Sequence, residues 1–162
     1  MQCPKKGGSK YFNYKGYHSI VLLALVDANY KLLYVDVGAS GGGSDAGIFA
    51  VTPLHTYLED GTLSLPPPTP LPGGDRPVSY FIVDDDAFPL RTWLMKAFPH
   101  RGLTRQQRIY NYRLSRARRI VENAFGLLTN RWRCLLSAIA ITPKRIESVV
   151  IECCILHSSR LG

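Results

Sequence analysis

Apolar positions fall first into short unbroken runs and later into helical stripes. Residues 17–26 read YHSIVLLALV. The run is too short for a typical helix and carries β-branched residues, so it predicts a strand covered on both faces. Asp27-Ala28-Asn29-Tyr30 supplies turn residues, and KLLYVDV at 31–37 predicts the returning strand of an antiparallel hairpin. VSYFIV at 78–83 predicts a further buried strand of the same sheet and stops at three acids, Asp84, Asp85 and Asp86. From Thr104 the period changes. Ile109, Tyr112, Arg116, Ile120, Ala124, Leu127 and Leu128 follow three- and four-residue steps that Trp132 continues, which predicts a helix over 104–130. Pro143 suits a first helical turn, and a last helix is predicted over 144–157, with Ile146, Val149, Val150, Cys153, Cys154 and Leu156 on its apolar face.

Between these elements the punctuation is clear. Gly38 and Gly41-Gly42-Gly43 make a glycine-rich turn, after which Ser44 and Asp45 are plausible N-cap residues for a helix over 45–59. Residues 61–77 carry Pro66-Pro67-Pro68, Pro70, Pro72 and Pro77. Proline removes a backbone donor and resists helix, so this stretch predicts an exposed, semi-rigid internal loop. Residues 89–97 predict a short helix. The pieces flanking the loop are each too small to fold alone, so the 162 residues predict a single domain of mixed α/β class with a small sheet and flanking helices.

Charge adds a partner. The formal net charge is +8, and nine arginines with one acid, Glu122, between Arg101 and Arg133 carry all of the excess. Such a segment suits a polyanion, or forms a solvated helix face. Cys3, Cys134, Cys153 and Cys154 show no CxxC spacing and predict buried free thiols in a reducing compartment. Met1–Lys10 has no apolar run of the signal-peptide kind, and no stretch approaches membrane-spanning length. A soluble intracellular protein is expected. His18, His55, His100 and His157 are scattered without HxH or HExxH spacing. Neither a phosphate loop nor a Ser-His-Asp signature is present.

Three acids stand out by position. Asp45 follows the glycine turn, Asp85 closes a predicted buried strand, and Glu122 sits on the long helix among arginines. Carboxylates converging from separate elements suit Mg²⁺ or Mn²⁺, and two such ions can clamp both reacting oxygens of a phosphodiester. Each has a plainer explanation. Asp45 can be a helix cap, Asp84, Asp85 or Asp86 can serve a turn, and Glu122 can pair with Arg118 or Arg119.

At these residues a resemblance emerges. FNYKGYHSIVLLALVDANYKLLYVDVG (12–38), SDAGIF (44–49), VDDDAFPLRTWLM (83–95), YNYRLSRARRIVENAFGLLTNRWRCL (110–135) and CCILH (153–157) stand in the order of one family. Together they resemble the DDE superfamily endonuclease domain of Harbinger transposases and their host-derived nuclease relatives. The resemblance implies an RNase H-like fold and DNA cleavage that depends on a divalent metal, Mg²⁺ or Mn²⁺, with no small-molecule cofactor. It assigns catalysis and metal binding to Asp45 of a G-S-x-x-D pattern, Asp85 of G-D-x-x-[YF]-P-L, and Glu122 of V-E-x-x-F-G. Asp84 stands where the family has glycine, which leaves the choice among the three aspartates open. The resemblance also implies a nuclear protein, with the cytoplasm as the alternative, DNA as partner, and, as in many of its relatives, a separate DNA-binding partner protein. Arg113, Arg116, Arg118, Arg119, Arg131 and Arg133 are the candidate DNA contacts.

The family's I-D-G-[TK]-H strand, which carries its first catalytic acid, has no match here, and QCPKKGG stands before the Y-x-N-x-K-G block. The expectation is therefore an N-terminally truncated member with impaired cleavage. Two alternatives stay open: an inactive transposase remnant acting as a DNA-binding or protein-interaction module, and a product without a stable fold.

Overall fold

The computed structural model describes residues 9, 11–63 and 65–161. Cys3 and most of the Met1–Lys10 stretch lie outside the described residues. The chain divides into two compact units, one comprising Met1–Ile48 with Arg119–Gly162 and the other Phe49–Arg118.

The first unit is built on an antiparallel hairpin. Strand β1 (Ile20–Val26) pairs with β2 (Leu32–Ser40), Leu23 opposite Asp36, with irregularities at Val21/Leu22 and Leu25/Val26. The turn is fixed by Asp27, whose Oδ1 accepts from Asn29 N at 2.8 Å and Lys31 N at 2.9 Å. This is the Asx chemistry that its sequence offered. Strand β1 is half-buried throughout rather than covered on both faces. The 17–19 portion expected in the strand instead belongs to a tight turn closed by a bridge between Phe12 and His18. Helix α4 (Pro143–Ser159) packs on β2. Leu128, Ile146, Val150, Cys153 and Cys154 form the core, with Leu22, Val35, Val37, Phe125 and Trp132 around it. His157, fully buried, takes the place expected of Leu156, which is exposed. Its Nε2 lies 3.2 Å from the Tyr30 carbonyl, while the Ser158 hydroxyl accepts from Leu32 N at 3.2 Å. The end of α4 thus holds the hairpin turn.

The expected helix over 45–59 is two helices, α1 (Asp45–Ala50) and α2 (Pro53–Glu59). Pro53 disfavours helical backbone at the preceding residue, and Thr52 is extended at φ −81°, ψ 151°. The buried Thr52 hydroxyl caps the new helix by accepting from His55 N at 3.2 Å.

In the second unit, Phe49 contacts His55, Phe88 and Trp93 edge-on, with Leu54, Leu58 and Leu94 also buried. Two expectations fail here. Residues 78–83 are not one strand in a sheet with β1 and β2. Pro77–Val78 (β4) pairs only with Thr69–Pro70 (β3), and Ile82–Val83 (β5) pairs in parallel with Leu94–Met95 (β6). Among the described residues each sheet has two strands. Pro70 and Pro77 cannot donate to a ladder, so the β3–β4 pair ends after two residues. Its flanks stay in solvent: every described residue from 65 to 81 is exposed. Residues 89–97 form no helix. Trp93 and Leu94 must both be buried, and the backbone extends so that Ile82 N reaches Trp93 O at 2.8 Å and Asp84 N reaches Met95 O at 3.1 Å.

The long helix, α3 (Arg105–Arg131), runs through the boundary of the two units. It starts on a reciprocal capping box: Thr104 Oγ1 accepts from Gln107 N at 3.2 Å, and Gln107 Oε1 accepts from Thr104 N at 2.9 Å. Its buried positions are Leu114, Ala124 and Leu128; Ile109, Tyr112, Arg116 and Leu127, expected on the apolar stripe, are exposed.

Candidate functional site

Asp84 is the residue at which the chain leaves β5. Its Oδ1 accepts from Asp85 N at 2.8 Å. Asp85 Oδ1 accepts from Ala87 N at 2.9 Å, and the buried Phe88 ring anchors the end of the turn. The turn therefore uses one oxygen of each carboxylate, as the plainer explanation of these acids anticipated. The second oxygen of Asp85, Oδ2, faces the Arg118 guanidinium at 3.8 Å. This pair is open to solvent on both sides and so contributes little to stability. Asp86 is exposed, and its carbonyl accepts from Lys96 Nζ at 3.3 Å. Asp84, Asp85 and Asp86 line an open cavity of about 400 Å³ together with His100, Asn111, Ser115 and Arg118.

Helix periodicity explains the cavity's far wall. Asn111, Ser115 and Arg118 recur at four- and three-residue steps and so share one strip of α3, and Glu122 is the next position on that strip. Asn111 is fixed by two bonds to Phe98, from its Nδ2 to the carbonyl at 2.9 Å and from Phe98 N to its Oδ1 at 2.8 Å. The sequence reading missed Asn111, Ser115 and His100. The spacing from Glu122 back to Asn111 was the available signal. It also offered Arg118 to Glu122, whereas Arg118 pairs with Asp85.

Asp45 and Glu122 belong to the first unit and Asp85 to the second. Asp45 opens α1 but does not cap it. Ser44 does so, its hydroxyl accepting from Gly47 N at 3.2 Å, which leaves the exposed Asp45 carboxylate without a capping task. Glu122 is exposed as well. Among the described residues no group of three or more His, Cys, Asp or Glu side chains stands ready to hold a metal ion. The cavity's donors nonetheless fit a hard divalent cation by chemistry. They are mainly carboxylate, amide and hydroxyl oxygens, and no cysteine lies among them.

The arginines sort by helical position. At 3.6 residues per turn Arg105, Arg108, Arg116 and Arg119 fall on one side of α3, away from Leu114, Ala124 and Leu128, while Arg113 and Arg131 flank the buried side next to Ala124. All six are exposed, and Arg116 lies over the Tyr112 ring at 6.0 Å. Arg118 stands apart at the cavity, and Arg133 is exposed just beyond the helix.

Of the described thiols, Cys153 and Cys154 are buried, whereas Cys134, also expected to be buried, is exposed. No described helix is long and apolar enough to cross a membrane.

The family model of the DDE superfamily endonuclease matches residues 1–158. The chain is 26% identical over 164 residues to "Putative nuclease HARBI1" of Homo sapiens, covering 99% of this chain and 43% of that protein. It is 27% identical over 147 residues to "Protein ALP1-like" of Arabidopsis thaliana, covering 86% of this chain and 34% of that protein. The chain thus spans less than half the length of these relatives. No solved structure matches it significantly. With the family's acidic and basic blocks in order along α1, the β5 turn and α3, the chain belongs to the DDE superfamily endonuclease family.

Proposed function

We propose that this chain is the acidic core of a nuclease that hydrolyses DNA phosphodiesters with a divalent metal, on an RNase H-like plan, using Asp45, Asp85 and Glu122. The observation that carries the reading is the family match over residues 1–158. The exposed state of Asp45 and Glu122, and the part-exposed Asp85 side chain, support it, because ligands must be reachable. When bound, Mg²⁺ or Mn²⁺ would activate the attacking water and offset charge on the phosphate. The protein's share is positioning. Asp85 is held by its turn, Asp45 by the start of α1, and Glu122 by α3. The arginine side of α3 binds the DNA backbone as a sequence-independent polycation. Arg118 is the cation nearest Asp85, and on this reading it turns to a DNA phosphate when Asp85 takes a metal. The nucleus, where the DNA is, is the place of action, and a separate DNA-binding protein would supply target choice.

A second reading is favoured by one observation, the pairing of Asp85 Oδ2 with the Arg118 guanidinium at 3.8 Å, which occupies that carboxylate with a cation of the protein's own. In that case the chain binds DNA without cutting it. Residues 1–162 contain no match to the I-D-G-[TK]-H block, so slow cleavage is expected of this polypeptide. The deciding experiment is a Mn²⁺ titration followed by a nicking assay on supercoiled plasmid. Slow metal-dependent nicking, lost about 100-fold or more in Glu122→Gln, is the expected outcome. Nicking that ignores the substitution would exclude the assigned site. DNA binding without nicking would establish the second reading.

A further inference from the structure

The turn that precedes β1 exposes more aromatic surface than its size requires. Tyr14 is 91% exposed, Tyr17 52% and Phe12 48%. These rings sit on a turn that is tightly built. Asn13, itself buried, accepts at Oδ1 from Lys15 N at 3.0 Å and Tyr17 N at 3.2 Å, and donates from Nδ2 to Ser19 Oγ at 2.8 Å. Asn13 N reaches Tyr17 O at 2.9 Å, Ser19 N reaches Tyr11 O at 2.8 Å, and Gly16 turns the corner at φ +83°. The turn rests on the loop that leads to Asp45. Gly41 N donates to Ser19 O at 3.1 Å, and a Cβ at Gly41 would collide with Ser19.

Lys15 Nζ lies over one face of the Tyr14 ring, 5.6 Å from its centre, so a cation stands against the ring and the other face is left for a base. Residues 1–26 hold Lys5, Lys6, Lys10 and Lys15 and no acid. A protein partner's apolar patch would find here phenols and lysines rather than aliphatic surface. A nucleotide finds a ring for its base and an ammonium for its phosphate. Because the turn is fixed beforehand, little ordering cost is left for binding.

We propose that residues 11–19 are a stacking platform for unpaired bases of a DNA strand, with Tyr14 and Tyr17 taking base faces and Lys15 the adjoining phosphate. The inference rests on DNA being the substrate and adds a single-strand subsite beside the loop that carries Asp45.

The test uses the 162-residue chain in EDTA, which removes cleavage from the readout, with a fluorescent oligodeoxythymidylate and a duplex of equal length. Tyr14→Ala with Tyr17→Ala should weaken the single strand about tenfold or more, yet leave duplex affinity within about twofold. Tyr14→Phe with Tyr17→Phe should keep both affinities, since a phenyl ring stacks as well. Single-strand affinity indifferent to the alanine pair would overturn the proposal, as would equal loss in the phenylalanine pair. Should the alanine pair fail to fold, ultraviolet cross-linking of iodouracil-substituted strand to the unaltered chain decides. Adducts on residues 11–19 support the platform, and adducts confined to 105–133 exclude it. Failure of the nuclease reading would look different: nicking insensitive to Glu122→Gln, with the stacking results unchanged.

Discussion

Gly38 shows what a single residue fixes in this chain. Its φ of +117° lies where side chains are strained, and a Cβ there would come within 2.8 Å of Glu147 Oε1 on α4. Gly38→Ala should cost about 1–3 kcal/mol, read as a lower urea midpoint. Adding Glu147→Ala should recover only the steric part, so full recovery would refute the backbone argument. Cys153 gives a pH dependence. Burial, first, and then the neighbouring Cys134 push its thiol from 9.0 to about 11. Between those values the unfolded chain releases a proton that the folded one keeps, so stability is intact below pH 9 and falls as pH rises towards 11. Thermal melts at pH 8 and pH 10.5 should show that fall, and Cys153→Ala should lessen it. At this scale the sequence was legible where chemistry is local. Asp27 fixing its own turn and Pro143 opening α4 needed only near neighbours. The burial of His157 in place of Leu156 needed Tyr30, 127 residues away, and no periodicity reports that.

Elements were legible in proportion to their length. The two long helices lie within a residue or two of their expected bounds, because caps and a 3.6-residue period repeat the same message over many turns. The hairpin was legible as a pair, but β1 starts three residues later than expected and β2 runs on through Gly38 to Ser40, into the stretch read as turn. Residues 78–83 misled because an apolar run reads as a strand whatever its partner, and here proline on one side and a two-residue partner on the other left nothing longer to pair. The buried face of α3 was misplaced for a related reason. Ile109 and Tyr112 are apolar by type, but they lie with the arginines rather than with Leu114. That arginine side, with Arg113 at its edge, makes its own prediction. Replacing Arg113, Arg116 and Arg119 by alanine should reduce the slope of log affinity for duplex DNA against log salt by about 2–3 units, each lost phosphate contact removing nearly one. An unchanged slope would mean that this face is only solvated. Thr104→Ala should cost α3 about 1 kcal/mol of capping, seen as a lower melting temperature with the salt slope intact.

For the whole molecule, the family was legible because ordered motif blocks survive at 26% identity, while the geometry among acids from different elements is not written in spacing. Asp85 shows the difference. Its pattern named the residue, but its turn bond to Ala87 and its pairing with Arg118 came only from the fold. The stretch from 65 to 81 gives a last test at this scale. Every residue in it is exposed, and its only ladder is the two-residue pairing of β3 with β4, so little backbone hydrogen bonding resists opening. Proline follows Leu65 and Leu71 and shields the bonds after them from chymotrypsin. The bonds after Tyr80 and Phe81 have no such shield, and both rings are exposed. Brief chymotrypsin treatment should therefore make its first internal cut after Tyr80 or Phe81, identified by the masses of the two fragments. Tyr14 is more exposed, but its turn is locked by Asn13 and must open before it can enter a protease. A first cut within α3 or α4 would show that those helices open more readily than this stretch, against the capping and core packing described for them.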